Sequence, residues 1–363
     1  MKTINGMRSY ALVALLLFAS VSMAFSRAPI TLADNVHSVA SSLVSSTVGQ
    51  QNITMHTGDL VLSNNEVLLI KDAQLNLKGN LIMNGNSILI LDNGVLYPDF
   101  EKGQYSYKLH DNSKIIMQNN SKIESLIFDF MLYDSASIDI SDSILSQNIR
   151  LDSINATLQA VNSYIRVASI YGYSLIINST SSELNFYGNA RIVNSQIEQF
   201  EVSSLYHPIY VDLVNSTYDR LYTDFIGQGV IRVYWYLRVL VESQGTPLQD
   251  ADVQVYSQAN GSLVAQDTTS SDGRVQFELL ALEISEHGET YLGDYTIRVN
   301  QNQAQTQETV MLNSSMQKTI SISTDSQRAQ AVMYAVLVIV AALIIGALTI
   351  LFLKRNRKRL AFD

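Results

Sequence analysis

Asn112-Ser113-Lys114-Ile115-Ile116-Met117-Gln118-Asn119-Asn120-Ser121-Lys122-Ile123 reads one four-residue signature twice: Asn or Asp, then Ser, any residue, then Ile or Leu. The same signature occurs at Asn86-Ser87-Ile88-Leu89, Asp142-Ser143-Ile144-Leu145, Asn162-Ser163-Tyr164-Ile165 and Asn194-Ser195-Gln196-Ile197. Successive spacings are 26, 8, 22, 20 and 32 residues, most of them close to one coil of a repeating β-structure. Between the signatures, apolar and polar residues alternate, as in Leu75-Asn76-Leu77 and Ile138-Asp139-Ile140. Period two means strands with one buried face. An Asn or Asp at a corner tolerates left-handed backbone angles and bonds locally to the chain. The following Ile or Leu points inward, and one coil cannot bury that face alone, so coils must stack. These features predict a parallel β-helix (solenoid) over 56–214, with roughly seven coils about 4.8 Å apart. An antiparallel sandwich with Asn/Ser turns is the competing architecture. It would need hairpin turn pairs, which are scarce here.

Outward from this region the chain changes character. Aromatic residues gather over 206–241 (Tyr206, Tyr210, Tyr218, Tyr222, Phe225, Tyr234, Trp235 and Tyr236), and the junction proper is placed at 215–230. An open solenoid end needs an apolar lid, which is the expected role of that cluster. Residues 231–324 then carry Val239-Leu240-Val241, Gly245-Thr246-Pro247-Leu248, Ala251-Asp252-Val253-Gln254-Val255, Ser271-Asp272-Gly273-Arg274 and Tyr295-Thr296-Ile297-Arg298-Val299. Pro247 pre-sets a turn, Asp272-Gly273 is a hairpin-type turn, and Val253 and Val255 share one face. This pattern resembles the carboxypeptidase regulatory-like, or transthyretin-like, β-sandwich family, an Ig-like module without catalytic residues of its own. Asp294 stands between Gly293 and Tyr295, where that family's glycine abuts the tyrosine, and Leu282 to Thr290 is an insertion. The whole arrangement, read as a right-handed parallel β-helix, a sandwich and a terminal anchor, resembles archaeal surface-layer-like membrane proteins.

The two ends carry the localisation reading. Lys2, Arg8, the apolar run Tyr10 to Ala19 and Ser22-Met23-Ala24 predict a signal peptide over 1–24, followed by a leader over 25–55. Near the C-terminus, 325–330 reads as a short stalk, and 331–353 is an uncharged run of spanning length. The basic tail at 354–363 then contains Lys354, Arg355, Arg357, Lys358 and Arg359. The expectation is a single-pass cell-membrane protein, its N-terminal region extracellular and its tail cytoplasmic. Ala342 and Gly346 form a weak small-residue pairing signal within the run.

Composition excludes more than it selects. Among 363 residues there is no cysteine, so disulfides, thiolate metal sites and cysteine nucleophiles are ruled out. The net charge of −9 argues against nucleic-acid partners. The histidines His37, His56, His110, His207 and His287 show no zinc-site spacing. Hydrolase, phosphate-loop and dinucleotide fingerprints are absent.

Parallel β-helices also host polysaccharide lyases and hydrolases, so a carbohydrate-active enzyme is the competing function. Its candidate residues are Asp134, Asp139, Asp142 and Arg150, with Asp129 and Asp152 nearby. Paired carboxylates can hold Ca²⁺ or perform acid–base work on a sugar. The plainer reading makes them outward strand and corner residues, because their spacing specifies no ligand set. Sequons at Asn52, Asn119, Asn155, Asn178, Asn215, Asn260 and Asn313 are glycosylation candidates. The favoured expectation is a structural or binding protein with an envelope, adhesion or assembly role, whose partners are the lipid bilayer, other surface proteins or polysaccharides.

Overall fold

The computed structural model describes residues 44–48, 51–98, 105–124, 130–204, 208–225, 228–302, 304–323 and 332–346. Among the described residues, all regular structure apart from the helix at 332–346 is β, and the strands form a 14-stranded, a 13-stranded and a 4-stranded sheet.

Between Gln51 and Val214 the chain circulates between the two large sheets, and each strand pairs in parallel with its counterpart one circuit later. Ile88 lies beside Lys114, Lys114 beside Ser137, Ser137 beside Thr157 and Thr157 beside Tyr173. Parallel registers of this kind exclude up-and-down hairpins for this region and are consistent with a β-solenoid. The early coils have three short sides, such as Ala73–Lys78, Leu81–Met83 and Ile88–Asp92. From Ile144–Leu151 onward two of those sides merge into one longer strand.

Inward positions make continuous apolar columns. One runs Ile70, Leu91, Met117, Ile140, Ala160, Ile176, Ile192, Leu213 and Val233, each beside the next. All of them are buried in a single core cluster. That burial is the main driving force for stacking.

The corner residues behave as their chemistry demands. Asp72, Asn93, Asp142, Asn162, Asn178, Asn194 and Asn215 all adopt φ between 47° and 50°, the left-handed region that Asn and Asp enter at least cost among side-chain-bearing residues. Their side chains also bond between coils: Asn93 Nδ2 donates to Asp72 Oδ1 at 2.9 Å, and Asn162 Nδ2 to Asp142 Oδ1 at 3.1 Å. Behind them lies a buried serine ladder. The N–H groups of Ser163, Ser179 and Ser195 donate to Oγ of Ser179, Ser195 and Ser216 in turn, each at 3.0 Å. Each hydroxyl in turn donates to the carbonyl two residues before it, as Ser179 does to Ile177 at 2.7 Å.

The repeat signature therefore marks two corners. Asn86-Ser87 and Asn112-Ser113 precede strands of the 13-stranded sheet, whereas the signatures from Asn120-Ser121 to Asn194-Ser195 precede strands of the 14-stranded sheet. The spacing of 8 is a change of corner within one coil, and the spacing of 32 is two coils of 16, with Asn178 between.

At the far end, Gly229–Ser243 pairs in parallel with Ile209–Val214 through its first half. The same strand pairs antiparallel with Arg274–Ser285 along almost all its length, and in parallel with Met316–Ser321 through its second half. Across a second core, Leu237, Val239 and Val241 meet Val253, Val255, Ile297 and Val299 of the four-stranded sheet. Trp235 packs against both cores. The stretch 215–230, read from sequence as a cap, includes the strand Thr217–Asp224, which adds to the stack beside Gln196–Ser203.

The localisation expectation is corrected here. The described helix, 332–346, is about 22 Å long at 1.5 Å per residue, short of a hydrocarbon core of roughly 30 Å. Among the described residues no helix is long and apolar enough to cross a membrane, so a single-pass C-terminal anchor is not supported. Spanning needs about 20 residues of continuous helix, and the described helix supplies 15. The signal segment 1–24, the stalk 325–330, the tail 354–363 and positions 331 and 347–353 of the expected span lie outside the described residues.

Candidate functional site

The acidic residues singled out from sequence are dispersed around the coil. Asp134 sits in a turn at φ 51°, where its Oδ2 accepts from the Asp111 N–H at 3.1 Å and lies 3.8 Å from His110 Nδ1. Asp139 points outward from the middle of Ser137–Ser141 and pairs with Lys114 one coil away. Asp142 occupies the opposite corner and accepts from Asn162. Arg150 lies on the next strand, where Nη2 donates to Asp152 at 2.9 Å, and its guanidinium sits 5.7 Å from the Tyr171 ring centre. The hydrogen bond from Arg150 to Asp152 holds that guanidinium above its usual pKa. Asp134, Asp139 and Asp142 thus tie neighbouring coils, and Arg150 lies over a Tyr171 in the following coil; they do not converge on one point. Asp129 lies outside the described residues. Among the described residues no group of three or more His, Asp or Glu is placed to hold a metal ion.

The sequons divide by setting. Asn119 and Asn215 are corner residues whose amides donate to Asp92 and Asn194, at 2.7 and 2.8 Å. Asn178 is an exposed corner residue, and Asn52 lies within the strand Gln51–Thr57. Asn155, Asn260 and Asn313 are exposed outside strands, with Asn260 Oδ1 accepting from the Ser262 N–H at 3.0 Å.

The feature with the shape of a binding site lies at the other corner, where the merged strands turn into the 13-stranded sheet. The turn after Leu151 takes 152–156, and Pro208 stands just before the strand Ile209–Val214. Between them, two coils turn in far fewer residues, through Tyr171-Gly172 and Tyr187-Gly188-Asn189. These short turns leave a valley about 230 Å³ in volume, lined by Ile154, Tyr171, Tyr173, Tyr187, Asn189 and Pro208. Glycine is required in its floor: a Cβ on Gly172 would lie 1.9 Å from the Ala156 carbonyl oxygen, and one on Gly188 2.2 Å from that of Gly172.

Aromatic rings line its sides. Tyr171 and Tyr187 stack with centroids 4.5 Å apart, close to the spacing of adjacent coils. Tyr173 is 45% exposed and Ile154 71% exposed, so large apolar surface faces solvent here. Burial raises the pKa of both Tyr173 and Tyr187, which keeps them neutral hydroxyl donors and acceptors at physiological pH. Asn189 Oδ1 accepts from the Tyr210 N–H at 2.9 Å, which fixes the carboxamide at the rim. A sequence signal for this site exists in the Tyr-Gly pairs at 171–172 and 187–188, spaced by the same 16 residues as Asn162, Asn178 and Asn194. The search for paired carboxylates passes over it.

No family model matches the chain, and no curated protein matches it. Among solved structures, the Bacillus anthracis TIE protein is similar over 30% of this chain and 19% of its own length, with 12% identity and a TM-score of 0.22. The chain thus spans about a fifth of that protein, and the likeness carries no argument about fold or function.

Proposed function

We propose that this chain is a structural and binding protein: a parallel β-helix joined to a transthyretin-like sandwich, presenting a rigid outer surface to other subunits or to polysaccharides in an adhesion or assembly role. The observation that carries this reading is the use made of the acidic residues. Asp134, Asp139 and Asp142 each bond to a group of an adjacent coil, so their carboxylates serve the stack. The valley, by contrast, combines exposed rings with fixed polar groups, the usual make-up of a binding surface.

A polysaccharide hydrolase would need a pair of carboxylates flanking one bond, and a lyase a base aimed at a C–H beside a uronate carboxylate. Incubating the full chain with acidic and neutral polysaccharides distinguishes the two functions. The expected outcome is no release of new reducing ends or unsaturated products over hours. Product release that disappears in Asp134→Ala or Asp139→Ala would establish the enzyme instead.

A further inference from the structure

We propose that the valley at Tyr171, Tyr173 and Tyr187 is a subsite for one neutral pyranose ring of a glycan. The proposal rests on the binding reading above and names the ligand class for that site. Three observations lead to it.

The first is shape. A cavity of about 150 Å³ holds benzene, so a valley of about 230 Å³ accommodates a six-membered ring bearing hydroxyls. Ile154, in the turn 152–156, and Pro208, just before Ile209–Val214, stand at the two ends of the valley along the stack axis. An oligosaccharide therefore lies across the corner, with one residue seated and its neighbours outside.

The second is surface chemistry. A pyranose has a face of C–H groups and a rim of hydroxyls, so it needs a flat apolar platform with hydrogen-bonding groups around it. The tyrosine rings and Ile154 supply the platform. The neutral phenols and the fixed Asn189 carboxamide supply both donors and acceptors. Tyr173 stands on a strand, and Tyr171, Tyr187 and Asn189 sit in turns of two or three residues held between strands of constant register, so binding does not have to order a long loop.

The third is charge. Four carboxylates, those of Asp152, Glu183, Glu201 and Asp212, lie around the rings with two guanidinium groups, Arg150 and Arg191, and Arg150 is bonded to Asp152 at 2.9 Å. That excess of negative charge favours a neutral sugar over an anionic one.

The test uses saturation-transfer NMR on the full chain with two probes, cellotetraose and N-acetylglucosamine tetramer. Transfer to the ring C–H protons of at least one probe is expected, with a dissociation constant in the millimolar to high-micromolar range. Tyr173→Ala and Tyr187→Ala should each weaken binding tenfold or more, whereas Tyr173→Phe, which keeps the ring, should stay within about threefold. Tyr97→Ala removes an exposed tyrosine several coils away, on the strand Val95–Pro98, and should leave the affinity unchanged. Far-UV circular dichroism of each variant confirms that the stack persists.

Absence of transfer from both probes overturns the subsite. Transfer that survives both alanine variants also overturns it, while leaving the binding function in place at another surface. Cleavage of either probe would instead overturn the non-catalytic function itself.

Discussion

At the scale of single residues, this stack is held by polar side chains as well as apolar ones. Ser179 shows the reason: its Oγ accepts the Ser163 N–H at 3.0 Å and donates to the Ile177 carbonyl at 2.7 Å, inside the core. Ser179→Ala leaves a buried N–H without that partner and is expected to cost about 1–3 kcal/mol. A lower urea midpoint with unchanged slope would show it, and an unchanged midpoint would refute the ladder's importance. Asp92 gives a pH-dependent counterpart. The Asn119 amide bonded to its carboxylate holds its pKa below the usual value against the opposing effect of burial, and Lys71 at 3.3 Å adds to the depression. A depressed folded-state pKa stabilises above the unfolded value near 4 and is lost as pH falls through the lower folded value. Asp92→Asn should therefore be less stable at neutral pH and lose less stability between about pH 4 and 2 than the unaltered chain. Equal acid sensitivity in thermal melts would contradict this.

At the scale of elements, the strand Gly229–Ser243 joins the two β-units. Its first half completes the stack beside Ile209–Val214, and its second half contributes Leu237, Val239 and Val241 to the other core. Arg191 also bridges to Glu278 at 2.7 Å, and Asp212 lies between Arg191 and Arg232. These ions are partly exposed, so each pair is worth less than about 1 kcal/mol. Coupling between the units rests on the shared backbone. Leu237→Ala removes a fully buried side chain of the second core and should cost about 2–5 kcal/mol. Because the chain's one tryptophan, Trp235, touches both cores, its fluorescence and the far-UV signal should shift together in one transition. Separate midpoints would show that the units unfold independently.

At the scale of the molecule, coils of unequal length on a constant stacking repeat turn a uniform rod into one with surface relief. The corner asparagines fall 16 residues apart from Asn162 to Asn194, but 20 apart from Asp142 to Asn162 and 21 from Asn194 to Asn215. Where the coils are short, the outline recedes and leaves the tyrosine valley. Much of the architecture was legible in the residues. Period-two alternation implies buried columns, an Asn or Asp before Ser implies a corner, and Pro247 with Asp272-Gly273 implies turns, because each depends on local backbone preference and side-chain polarity. Corners lacking the full signature, such as Asn93-Gly94 and Asn178-Ser179-Thr180-Ser181, escaped that pattern, although their φ values match the others.

Local chemistry in the sequence determined that this chain builds strands, turns at Asn and Asp, and must stack to bury its aliphatic residues. Only the tertiary structure decided which corner each signature occupies and that Gly229–Ser243 serves two cores. It likewise decided that the acidic residues bond across coils, while tyrosines 16 residues apart meet face to face. These depend on register between segments distant in the chain, and an alternating pattern states which face is buried without stating which neighbour will lie beside it.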